Sequence, residues 1–65
     1  MVIDKGKMDL AMARAVKSFE AVRKEVGISG PGLSRIRAGQ RTTPVTAGKI
    51  ARSLGVDVTE LLKKD

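Results

Sequence analysis

Residues Ser18 to Gly39 read SFEAVRKEVGISGPGLSRIRAG, and their reading decides the fold. The Ser18 hydroxyl can accept from the exposed N–H groups of a helix start, and Glu20 falls in the first turn, where the helix dipole favours an anion. Phe19, Val22 and Val26 recur at helical spacing as a buried stripe. Gly27 supplies the left-handed conformation with which helices commonly end. Ser29 can cap a second helix. Pro31 is tolerated there because a first-turn N–H has no partner inside the helix. Leu33 and Ile36 give this helix an inward face, and it stops near Gly39. Gly30 and Gly32 each cost it roughly 1 kcal/mol of propensity, so it must rely on packing. Only Gly27-Ile28-Ser29 separates the two helices, which forces a sharp crossing. Val22, Val26, Ile28, Leu33 and Ile36 can meet in the angle, leaving the second helix as a convex ridge.

The rest of the chain is also helical in its spacing, and the alternation of a half-buried strand is absent. A first helix is predicted from about Asp4 to Ala15, with Met8, Met12 and Ala15 on one face as core filler and Lys5, Asp9 and Arg14 facing away. Thr43 reads as a cap and Pro44 as the first residue of a helix reaching about Leu54. Ala47, Ile50, Ala51 and Leu54 face inward, and Gly55 closes this helix. Asp57-Val58-Thr59-Glu60 has the form of a capping box and predicts a short fifth helix through Leu61, Leu62 and Lys63. The expectation is an all-α fold, a compact bundle of about five short helices in a single domain over residues 1–65.

Sixty-five residues bury only about 60% of the surface of the unfolded chain. Without Cys or His, neither a disulfide framework nor the usual zinc ligands can supplement that core, so helix packing and dimerisation are the expected supports. No apolar run approaches the roughly 18–20 residues of a membrane span. The start, Met1-Val2-Ile3-Asp4-Lys5, lacks the features of a signal peptide. A soluble, cytoplasmic protein is expected. The net charge is +6, and between Glu25 and Asp57 there is no acidic residue. That interval holds Arg35, Arg37, Arg41, Lys49 and Arg52. A field of one sign draws polyanions, nucleic acid above all; the competing reading is a solvated basic face. A membrane surface is disfavoured, because the basic residues sit among turn signals and not along one amphipathic helix. An enzyme is not expected: the acids show no paired arrangement, and Ser29 and Ser34 have no recognisable base. Gly30-Pro31-Gly32 follows a helix and is too short to cradle phosphates as a nucleotide-binding loop does. No metal, cofactor or small-molecule ligand is expected. Phe19 is the sole aromatic and belongs to the buried stripe, so stacking platforms for single strands are missing.

Val22, Gly27-Ile28-Ser29, Leu33-Ser34-Arg35-Ile36 and Gly39, continued by Lys49-Ile50-Ala51-Arg52-Ser53-Leu54-Gly55-Val56 and Glu60-Leu61-Leu62, carry a family resemblance. From about Met8 to Leu62 the chain resembles the phage-repressor (Cro/cI-like, XRE-type) helix-turn-helix proteins. The resemblance implies a lambda-repressor-like domain that binds specific double-stranded DNA as a transcriptional regulator, a repressor of a prophage or mobile element. By this resemblance it would read the major groove with the helix 29–38. By the same resemblance Ser29, Gly30, Pro31, Ser34 and Arg35 would meet base edges. Gly30 and Pro31 can offer only close approach or an apolar contact, whereas the Arg35 fork can pair with guanine O6 and N7. Ser18, Arg37, Gln40, Arg41 and Thr42 would grip phosphates, which position a protein without reading sequence. Capping alone would explain Ser18 equally well. Relatives commonly act as two-fold dimers, and Val58, Leu61 and Leu62 are the candidate homodimer surface. Their competing role is to cover the core of their own subunit, and Leu61 fits that role best. Two positions depart from the family pattern: Phe19 stands where Gln is usual, and Arg23 where a small residue lets the helices approach. Either Arg23 snorkels outward along its stem or Gly32 makes room for it. The alternative function is an antitoxin or other interaction module of the same fold, whose main role is to bind a partner protein.

Overall fold

The computed structural model describes residues 1–64 and places four α-helices in them: α1 (Lys5–Ala15), α2 (Phe19–Val26), α3 (Gly30–Arg37) and α4 (Pro44–Leu54). Local chemistry sets most of their ends. Asp4, Ser18, Ser29 and Thr43 each accept from a backbone N–H in the following first turn, satisfying donors that a helix start leaves without partners. Gly27 and Gly55 close α2 and α4 in the left-handed region. Helix α1 closes the same way on Val16, without a glycine.

The apolar faces meet in one core. Met8, Ala11, Val22, Val26, Leu33, Ile36, Ala47, Ile50, Ala51 and Leu54 are buried, joined by Ile3 and Leu61 from outside the helices. Phe19 and Ile28 pack against it, half-buried. Helix α4 lies against α2, α1 and the C-terminal segment, and α3 packs on α2. The Cα radius of gyration is 10.1 Å, close to the roughly 11 Å of a single compact domain of this length.

The predicted fifth helix is corrected. Asp57 and Glu60 do form the capping box, but it opens a single 3-10 turn, Val58–Glu60. Leu61 then drops into the core with no exposed surface. Leu62 forms an isolated antiparallel bridge with Ile3. The Asp4 N–H donates to the Leu61 carbonyl at 2.8 Å, and the Lys63 N–H to the Val2 carbonyl at 3.0 Å. Helical bonds would require those same groups, so the helix stops. Among the described residues there is no strand beyond that bridge, and no helix is long and apolar enough to cross a membrane.

Candidate nucleic-acid interface

Helices α2 and α3 meet across Gly27, Ile28 and Ser29. Gly27 takes φ 81°, a conformation nearly closed to residues with a Cβ. Arg23 settles the close approach of the two helices. Its guanidinium pairs with Glu20 on its own helix and donates to the Ile28 carbonyl at 3.2 Å. Its stem passes over Gly30, where an added Cβ would stand 3.6 Å from Arg23 Cδ. The side chain therefore runs outward and ties the turn to α2. Gly32 serves another purpose. A Cβ there would come within 2.9 Å of Ser29 Oγ, the atom that accepts from the Gly32 N–H at 3.0 Å to cap α3.

On α3, Leu33 and Ile36 are buried, while Ser29, Pro31, Ser34 and Arg35 are exposed and Gly30 is half-buried. The residues expected to meet base edges thus share the outward side of one short helix. Its far end carries Gln40 and Arg41, both exposed, in the loop before α4. Thr42 is half-buried, and its N–H is taken by the Met1 carbonyl at 2.8 Å, so only its hydroxyl remains to meet a ligand. Ser18 is exposed at the start of α2, where its hydroxyl accepts from the Ala21 N–H at 3.1 Å.

Arg37 stands apart from the group with which it was expected. Its guanidinium takes both oxygens of Asp9, at 2.7 and 3.0 Å, and fastens α3 to α1. A paired fork of this kind is specific in geometry and strong for its class. Arg37 therefore ties the two helices, and both partners of the pair remain partly exposed. The candidate dimer surface narrows in the same way. Leu61 is wholly buried in its own subunit and leaves the set, while Val58 and Leu62 are half-buried.

The acidic side chains are engaged throughout the described residues. Asp4 caps α1, Asp9 holds Arg37, Glu20 holds Arg23 and Glu25 takes the Lys17 ammonium; Asp57 and Glu60 close the capping box. Hydrogen bonds from Arg37 are the chief reason the Asp9 carboxyl titrates below its ordinary value, with partial burial opposing. Arg23 acts likewise on Glu20, and hydrogen bonds from Thr59 lower Asp57. No described acidic side chain comes within ion-pair distance of Arg35, Arg41, Lys49, Arg52, Lys63 or Lys64. The surplus positive charge therefore presents outward.

Sequence reasoning missed Arg23 as the tie of the turn, since its partner is a backbone carbonyl five residues on. It also missed Lys63 and Lys64, which fold back beside Arg41. In comparisons with known proteins, no family model, no curated protein and no solved structure matches this chain.

Proposed function

We propose that this chain is a sequence-specific double-stranded DNA-binding transcriptional regulator, a cytoplasmic repressor of the Cro/cI-like helix-turn-helix family that works as a homodimer. In this reading α2 and α3 are the helix-turn-helix of a lambda-repressor-like domain, and α3 enters the major groove. The observation that carries it is the outward side of α3. Ser29, Pro31, Ser34 and Arg35 are exposed together on a capped helix whose other side is buried, next to a surface where acidic side chains are already engaged. A helix of this width fits the roughly 12 Å major groove.

Arg35 carries the base reading, through paired donors to guanine. Ser34 adds a less selective contact. Ser29 already accepts from Gly32, so its hydroxyl has a proton left to donate. Gly30 and Pro31 allow close approach. Gln40, Arg41 and the Ser18 end of α2 meet phosphates, and Arg37 is omitted because Asp9 holds it. The test starts by selecting bound duplexes from random DNA, then compares that site with a scrambled one at two salt concentrations. Arg35→Ala is expected to lose about 1–3 kcal/mol of discrimination between them. Arg41→Ala is expected to weaken both alike and to flatten the salt slope by about 0.9. Equal losses on both duplexes for Arg35→Ala would overturn the base-reading role.

A further inference from the structure

A groove opens beyond the C-terminal end of α3, lined by Met1, Val2, Gly39, Arg41, Leu62, Lys63 and Lys64. Beside the Met1 ammonium, which donates to the Thr42 carbonyl at 3.1 Å, its side-chain cations come from distant parts of the chain: Arg41 from the loop before α4, the two lysines from the segment after the 3-10 turn. All three are exposed, and no described acidic side chain lines the groove.

The backbone fixes this grouping. The Thr42 N–H donates to the Met1 carbonyl at 2.8 Å and the Lys63 N–H to the Val2 carbonyl at 3.0 Å. Both cationic walls are thereby stitched to one extended segment. The Lys7 ammonium holds the Leu62 carbonyl at 2.9 Å, which secures the same wall again. Like charges drawn to one groove repel, and a polyanion relieves that repulsion.

We propose that this groove is a second backbone site, taking phosphates of the DNA strand that borders the major groove entered by α3. The inference rests on the DNA-reading assignment of α3. Helix α3 has eight residues and so is about 12 Å long, similar to the width of the major groove. With its first turns over base edges, its far end reaches a bordering strand, and Arg41 and the groove lie at that end. The phosphate grip then extends from the loop to the C-terminal segment. The two lysines position the protein without reading sequence.

The experiment measures duplex affinity across a salt series for the unaltered chain and two double variants. Lys63→Gln/Lys64→Gln keeps the stems and the backbone bond at Lys63. Lys24→Gln/Lys49→Gln removes the same charge elsewhere. For the first pair the slope of log affinity against log salt should become shallower by roughly 1.8, about 0.9 for each of two phosphates. The ratio of selected to scrambled site should not change, and the second pair should leave the slope near its original value. A slope unaltered by Lys63→Gln/Lys64→Gln, with selective binding intact in the parent chain, would overturn the groove alone. Equal flattening by both pairs would also overturn it, by assigning the effect to net charge. A parent chain that binds no duplex would overturn the DNA reading and the groove with it. Thermal melts of both variants confirm that folded protein is compared; if the glutamine pair does not fold, Lys63→Arg/Lys64→Ala and Lys63→Ala/Lys64→Arg read each position in turn.

Discussion

Val16 ends α1 at φ 51° and ψ 47°, a conformation in which a side chain's Cβ crowds the following carbonyl at roughly 1–2 kcal/mol. A branched residue there is an outlier, and with the side chain 90% exposed no burial offsets the strain. What holds it is the helix exit itself, where the Lys17 N–H reaches back to the Met12 carbonyl at 3.1 Å. Val16→Gly is expected to raise stability by up to about 1 kcal/mol, the relief of strain less the freedom that glycine adds to the unfolded chain. In a domain of this size each kcal/mol moves the melting midpoint by roughly 4–8 °C. A midpoint that stays put or falls would show that the exit carries no strain to relieve. Arg23 and Arg37 make a related point about single side chains. Their charges contribute to the basic character of the sequence, yet Glu20 and Asp9 hold them within the fold.

Among the elements, α3 and α4 respond differently to the same change. Gly32 of α3 and Gly48 of α4 are both helical. Replacing an interior helical glycine with alanine ordinarily stabilises by about 0.5–1 kcal/mol. At Gly48 an added Cβ meets nothing within 4 Å, so Gly48→Ala should deliver that gain. At Gly32 it would press on Ser29 Oγ and disturb a cap of a kind worth typically about 1 kcal/mol. Gly32→Ala should therefore give no gain or a loss. Urea midpoints of the two variants decide the matter, and equal gains would remove the role assigned to the Ser29 cap. Helix α3 is the element least able to absorb such a loss. It buries two residues in the shared core, Leu33 and Ile36, and the Arg37–Asp9 pair adds a tie to α1.

For the molecule as a whole, the lowered carboxyls of Asp9, Glu20 and Asp57 set the response to acid. Their ordinary values are 3.8 and 4.5, and folding depresses them. As pH falls, the unfolded chain therefore takes up these protons first. The stabilisation is complete above the ordinary carboxylate range and is lost as pH drops through the folded values. Acidification also raises a net charge that is already +6, adding self-repulsion. Without His, no side chain has an ordinary value between about pH 5 and 8. The melting midpoint should hold level across that interval and decline below about pH 4. A midpoint that does not decline between about pH 5 and 2 would contradict the ion pairs and capping bonds described for these three groups.

The helices and most of their ends are legible in local sequence. Caps at Ser18, Ser29 and Thr43, exits at Gly27 and Gly55, and the buried stripes of α2, α3 and α4 are all encoded by residues within about four positions of one another. Hydrogen bonding and periodicity at that range depend little on the rest of the chain. The outward residues of α3 were legible for the same reason. Partners distant in sequence set the rest. Ile3 enters the core, and the strand-like pairing of Ile3 with Leu62 halts the fifth helix after one 3-10 turn. Asp9 takes Arg37 from 28 positions away, which ties to α1 an arginine whose sequence neighbours belong to the expected phosphate set. Lys63 and Lys64 join Arg41 only because both segments bond to residues Met1 and Val2. A carbonyl or carboxylate distant in sequence leaves no local signature, so these assignments required the fold.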